Sequence, residues 1–137
     1  MRAHVLVADD NPLFAEAVAA LLESDPRIQV VGRATNGAEA VDFARKLAPD
    51  LVLMDLRMPV MDGIEATSRI TERLPSIKVL VVTGHGSPED IECALGAGAV
   101  ACVTKEDLGL RLVDAVLALA PLDVREPTAS FSALGLP

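Results

Sequence analysis

Five short runs of apolar, β-branched-rich residues punctuate the chain: HVLVA at 4–8, IQVVGRA at 28–34, DLVLM at 50–54, IKVLVV at 77–82 and VACV at 100–103. Their length and composition predict β-strands. Four of them are almost continuously apolar, the pattern of strands covered on both faces in a parallel sheet, whereas IQVVGRA is mixed and reads as lying nearer an edge. Helical periodicity fills the gaps over Pro12 to Glu23, Ala38 to Leu47, Ile64 to Leu74 and Pro88 to Leu95, and again over Leu108 to Ala120 after the fifth run. The punctuation agrees. Asn11-Pro12 is an N-cap followed by a first-turn proline, Asn36-Gly37 and Ser87-Pro88 start helices, and Pro49 and Pro75 fall just beyond helix ends. Gly96-Ala97-Gly98 reads as a helix stop before the fifth strand. Strict β-α alternation of this kind predicts an α/β doubly wound fold.

At 137 residues the chain fits one core, placed here in a domain over 1–120. The tail over 121–137, PLDVREPTASFSALGLP, has three prolines and no clear period, and reads as a linker or frayed end. Three Phe with no Tyr and no Trp leave the core to Val, Leu, Ile and Ala and argue against stacking on nucleic-acid bases. Twenty acidic against twelve basic side chains give a net charge of -8, which repels nucleic acid and anionic membranes alike. Cys93 and Cys102 form no CxxC pair and read as buried free thiols in a reducing compartment. Neither a signal-peptide pattern nor an apolar run of membrane-spanning length is visible, so a cytoplasmic protein is expected.

In an open parallel sheet, ligands bind beyond the carboxyl ends of the strands at the topological switch point. The first run ends in Asp9 and Asp10, the third in Asp55, the fourth in Thr83, and the fifth in Thr104 followed by Lys105. In the flavodoxin-like order 2-1-3-4-5, with helices on both faces, these three carboxylates, the hydroxyl and the ammonium converge on one rim. Packed carboxylates repel and hold their protons unless a cation compensates. A hard divalent ion, Mg²⁺ or Mn²⁺, suits an oxygen set of this kind. Asp10 and Asp55 are the expected direct ligands, with Asp9 acting through water. A metal-bound carboxylate beside a lysine and a hydroxyl can attack a phosphoryl group, because metal and ammonium neutralise the equatorial oxygens. Asp55 is therefore the expected phospho-acceptor, with Thr83 and Lys105 as its catalytic partners.

The same residues carry a family resemblance. VLVADDNPLF at 5–14, LVLMDLRMPVMDGIEA at 51–66, VVTGHG at 81–86 and VTK at 103–105 stand in the order found in the CheY-like receiver domain of bacterial two-component response regulators. The chain resembles that domain over roughly residues 3–120, and LLESDP, VVGRATNGAEA and DLRMPVMDGIEAT bring it nearest to the NarL/LuxR type. The resemblance implies that Asp55 takes its phosphoryl group from the phosphohistidine of a sensor histidine kinase. It implies that the Arg57 carbonyl joins Asp10 and Asp55 on Mg²⁺, that Lys105 pairs with phosphoryl oxygens, and that the Thr83 hydroxyl swings toward them. Gly84 would leave room for the incoming group, while Arg57 and His85 would flank the approach of water and set autodephosphorylation. It further implies transcription control through a C-terminal helix-turn-helix domain outside this sequence, with no DNA binding by this chain alone.

One position departs from the pattern. Three residues before Lys105, where receivers usually carry a Tyr or Phe that rotates with the Thr, stands Cys102. Phosphorylation is expected to survive this change, and coupling to the output is what it puts in question. Within an apolar strand Cys102 reads as a small core residue rather than a redox sensor. The rival enzyme class, phosphatases of the haloacid dehalogenase type, places a second acid two residues after the nucleophile. Here that position is Arg57. The expected module is thus a switch that catalyses only its own phosphorylation and dephosphorylation. Its output surface is expected on the fourth helix, fifth strand and last helix, and homodimerisation through the apolar face of LRLVDAVLALA at 110–120 or the fourth helix.

Overall fold

The computed structural model describes residues 2–84, 86–108 and 111–120. The five apolar runs form β1 (Ala3–Ala8), β2 (Ile28–Ala34), β3 (Leu51–Met54), β4 (Lys78–Thr83) and β5 (Ala101–Thr104). All pairings are parallel, in the order β2-β1-β3-β4-β5 anticipated from the sequence. The mixed run IQVVGRA lies at an edge, where five of its seven residues are half-buried or exposed. The central β3, LVLM, is buried at every position.

Side chains alternate across a pleated strand, and that period of two divides the core into two layers. Val5, Val7, Leu51, Leu53, Leu80 and Val82 face α1 (Pro12–Glu23) and the C-terminal helix, packing with Val18, Leu22, Leu112 and Val116. Leu6, Ala8, Val52, Met54, Val79 and Val81 face the opposite layer, which holds Ala40 and Ala44 of α2 (Gly37–Leu47), Ala66 and Ile70 of α3 (Gly63–Arg73) and Ala94 of α4 (Pro88–Gly96).

The helix starts follow the caps. Asn11 Oδ1 accepts the N–H groups of Leu13 and Phe14, Asn36 Oδ1 that of Glu39, and Ser87 Oγ that of Asp90. Asp62 caps α3 through the Glu65 N–H. After α4, Gly98 takes a φ of +109° where the chain turns back toward β5. The last predicted helix differs from expectation. The Asp107 N–H donates to Thr104 Oγ1, so a short α5 (Lys105–Leu108) starts directly at the strand end, and α6 spans Leu112–Leu119. The apolar face of α6 is the core face: Leu112, Ala115, Val116 and Leu119 are buried under the sheet. A homodimer contact through that face is therefore corrected by the packing. The predicted tail over 121–137 lies outside the described residues.

The loop from Asp55 to Asp62 is fastened at both ends. The Gly63 N–H donates to the Leu56 carbonyl at 2.8 Å and the Gly37 N–H to the Met61 carbonyl at 2.9 Å. A Cβ at Gly63 would overlap the Asp55 carbonyl, and one at Gly37 the Met61 carbonyl. Between these points the Met61 N–H reaches back to the Pro59 carbonyl at 2.7 Å around Val60, whose φ is +70°. That is a γ-turn with a β-branched residue in an unfavourable region, held by the contacts on either side. Gly63→Ala is expected to destabilise the fold by about 2–3 kcal/mol, because the obstacle is backbone and cannot rotate away. Urea unfolding followed by circular dichroism measures this, and an unchanged midpoint would contradict it.

Candidate functional site at the carboxyl rim of the sheet

Register brings the acids together. Ala8 pairs with Met54, so Asp9 and Asp55 leave adjacent strands side by side. The Asp55 N–H continues the ladder to the Ala8 carbonyl and the Asp9 N–H to the Ala34 carbonyl. Asp9 and Asp55 are 4% and 7% exposed, whereas Asp10, one residue further out, is exposed. One carboxylate oxygen from each of the three lies within 4.8 Å of the others. Opposite oxygens of a Mg²⁺ octahedron are roughly 4 Å apart. The set fits a hard divalent cation with only small side-chain adjustment.

The same parity delivers Lys105. Its ammonium stands 2.8 Å from Asp9 Oδ2 and 3.9 Å from Asp55 Oδ2, with the side chain 23% exposed. Asp9 Oδ1 also accepts the Asn11 N–H at 2.8 Å. Both oxygens of Asp9 therefore have partners within the protein, which leaves Asp10 and Asp55 as the freer donors to a metal. Lys105 Nζ also lies 4.2 Å from the centroid of the Phe14 ring on α1.

The charge arithmetic falls hardest on Asp55. Its carboxyl is pushed up from 3.8 to about 6, chiefly by burial and then by the Asp9 charge. Lys105 opposes this, Asp10 adds to it, and the Leu56 N–H lowers it again. Without a cation the site holds its central acid at the edge of protonation.

Thr83 ends β4 opposite Thr104 of β5 and is buried. Being two residues from Val81, it continues the row that faces α4 and Cys102. Next to it, a Cβ at Gly84 would meet nothing within 4 Å, so no protein contact requires a glycine there. The Arg57 side chain, 74% exposed, leads to α4, where its Nη2 is 3.2 Å from Asp90 Oδ2. The two residues help line a cleft with Leu56, Met58, Asp62 and Ile64. Cys102 is buried, and its thiol is raised by burial and by the Asp90 charge, in keeping with a core residue. Cys93 corrects the sequence reading: it is exposed, because α4 turns only Ala94 fully inward. His85 lies outside the described residues. Sequence reasoning missed Phe14 and Asp90 as neighbours of the site. The nearest signal was the position of Phe14, one turn into the helix that follows the acidic pair.

A parallel sheet of this order, with acids, a hydroxyl and a lysine at one rim, defines an open α/β module whose chemistry sits at the strand ends. The chain belongs to the response regulator receiver domain family, which matches residues 5–117. It is 39% identical over 114 residues to the transcriptional regulatory protein LiaR of Bacillus subtilis, covering 83% of this chain and 54% of the relative. It is 46% identical over 102 residues to a protein-glutamate methylesterase/protein-glutamine glutaminase of Pseudomonas putida, covering 73% and 27%. Among solved structures, the signal receiver domain of the putative response regulator NarL from Mycobacterium tuberculosis superposes with a TM-score of 0.83 at 34% identity, covering 89% of this chain and 98% of that one. The chain spans about half the length of LiaR. Among the described residues no helix is long and apolar enough to cross a membrane.

Asp55→Asn keeps the shape of the site and removes its most strained charge. A carboxyl with a raised folded pKa contributes stability below the unfolded value near 3.8, which is lost as pH rises through about 6. Metal-free Asp55→Asn is therefore expected to melt roughly 3–5 °C above the unsubstituted chain near neutral pH, about 1 kcal/mol after discounting for solvent at the open side. The gap should close toward pH 4 and shrink on adding Mg²⁺. Calorimetric scans across that range check it, and equal melting temperatures at neutral pH would contradict it.

Proposed function

We propose that this chain is a phosphorylation-driven signalling switch in which Asp55 accepts a phosphoryl group in a Mg²⁺-dependent reaction. The observation that carries the reading is the convergence of three carboxylates within 4.8 Å beside the Lys105 ammonium. Asp10, Asp55 and the Arg57 carbonyl would hold the cation, with Asp9 acting through water. A cation held there would neutralise charge on the transferring group and favour the ionised form of Asp55. Asp55 is the nucleophile: one carboxylate oxygen bonds to phosphorus as the bond to the donor nitrogen or acyl oxygen breaks. Lys105 receives the phosphoryl oxygens, and the Thr83 hydroxyl closes on them. The open space beside Gly84 admits the group. Arg57, and in this reading His85 as well, would flank the water that later hydrolyses the acyl phosphate.

The donor in this reading is the phosphohistidine of a sensor histidine kinase in the cytoplasm. In this reading the receiver occupies 1–120, 121–137 is a linker-like or frayed tail, transcription control would belong to a parent protein carrying a DNA-binding helix-turn-helix domain, and no turnover of external substrates is expected of this chain. The name of LiaR, a transcriptional regulatory protein that matches over most of this chain, supports that output. The response passes to the face of α4, β5 and α6. With the inner face of α6 packed into the core, a homodimer would use α4 and the outer face of α6.

Incubation of the full chain with Mg²⁺ and acetyl phosphate is expected to add one phosphoryl mass, read by intact-protein mass spectrometry. Asp55→Asn should abolish the gain, and Lys105→Ala should slow it about 100-fold, as loss of one stabiliser of transition-state charge does. No gain in the unsubstituted chain, or an undiminished gain in Asp55→Asn, would sink the proposal.

A further inference from the structure

Among the described residues, two carboxylates and one aromatic ring stand close to the Lys105 ammonium. The carboxylates are at 2.8 Å (Asp9) and 3.9 Å (Asp55). The ring is that of Phe14, whose centroid is 4.2 Å from Nζ, well inside the range in which a cation is attracted to the negative face of an aromatic. The carboxylates are also the groups that face a metal ion. Once a divalent cation sits among Asp9, Asp10 and Asp55, its charge repels the ammonium and offsets the pull of both acids. A lysine held by carboxylates alone then has an open route to water along a side chain that is already 23% exposed. The attraction of the ring does not depend on the charge of the acids, and Phe14 is partly buried against the core, lining a small cavity with Val7, Val18, Leu53 and Val82, one turn into a helix capped by Asn11.

We propose that Phe14 is a positioning residue for phosphotransfer, its ring face keeping the Lys105 ammonium at the rim when the acids are engaged by metal. The proposal rests on the phospho-acceptor reading for its consequence, and on the ring-to-ammonium geometry for its existence. Two measurements on the full chain separate these. In the metal-free protein, the Lys105 ε-methylene protons should be shifted upfield by the ring in proton–carbon NMR spectra, a shift lost in Phe14→Leu and kept in Phe14→Tyr. With Mg²⁺ and acetyl phosphate, Phe14→Leu should be phosphorylated about three- to thirtyfold more slowly, while Phe14→Tyr stays near the original rate. Phe14→Met serves the same purpose should the leucine variant fold poorly, as its melting curve will tell. Absence of the upfield shift in the unsubstituted chain overturns the proposal. So does an equal loss of rate in the leucine and tyrosine variants, which would make Phe14 a packing residue only. Should the unsubstituted chain take up no phosphoryl group, the phospho-acceptor reading and the phosphotransfer role of Phe14 fail together, and the NMR shift still decides whether the ring holds the ammonium.

Discussion

Everything at the rim answers to one constraint: Asp55 is a carboxylate that a nearly dry strand end forces to sit beside a second buried carboxylate, Asp9. Two such charges in contact are unfavourable by several kcal/mol unless something positive stands between them. Among the described residues that is the Lys105 ammonium, shared unequally, closer to Asp9 than to Asp55. Burial and then the Asp9 charge push the protonation of Asp55 upward, Lys105 only partly opposes them, and a cation would relieve the repulsion. A site that is uncomfortable empty and relieved when filled is one that responds to ligands.

Such a strained arrangement persists only if the backbone under it cannot relax. Here β3 is buried over its whole length and hydrogen-bonded on both sides, to β1 and β4, so the Asp55 Cα has no freedom to drift. The loop beyond it is tied to the starts of two helices through Gly37 and Gly63, positions where any side chain would meet a carbonyl. Val60 in its γ-turn shows that this fastening is strong enough to hold a β-branched residue at positive φ. The rim is thus rigid where the acids stand and open where Asp10 and Gly84 face solvent.

What was legible in the sequence was whatever a short-range pattern determines. Continuous apolar runs became inner strands, the mixed run an edge strand, and the capping residues Asn11, Asn36 and Ser87 the helix starts. Site residues at strand ends could be placed because a parallel sheet collects those ends on one side. What stayed hidden depends on where helices turn relative to the sheet. The Phe14 ring over Lys105 joins residues ninety-one positions apart, and no local pattern says which face of α1 tilts toward the rim. The same holds for Arg57 with Asp90, and for Cys93, whose exposure follows from how shallowly α4 is seated. The early helix start at Lys105 goes with one hydrogen bond, from the Asp107 N–H to Thr104 Oγ1.

The departure at Cys102 acquires a physical meaning from the same geometry. Thr83 and Cys102 lie on the face of the sheet that packs against α4, so the proposed movement of the hydroxyl toward the acids would withdraw volume from that side. A large aromatic at that position would amplify such a withdrawal by following it; a buried thiol has little volume to move and would transmit less of it. A further contact from the rim to α4 is the pair of Arg57 and Asp90. With the arginine 74% exposed, such a pair contributes at most about 1 kcal/mol, and less in salt. A link of that strength shifts an equilibrium several-fold but does not lock it. In this chain Asp55 is therefore held by rigid, buried contacts, while the contacts from the rim toward α4 include small and solvent-softened ones, so under the proposed function coupling between the two would be graded rather than all-or-none.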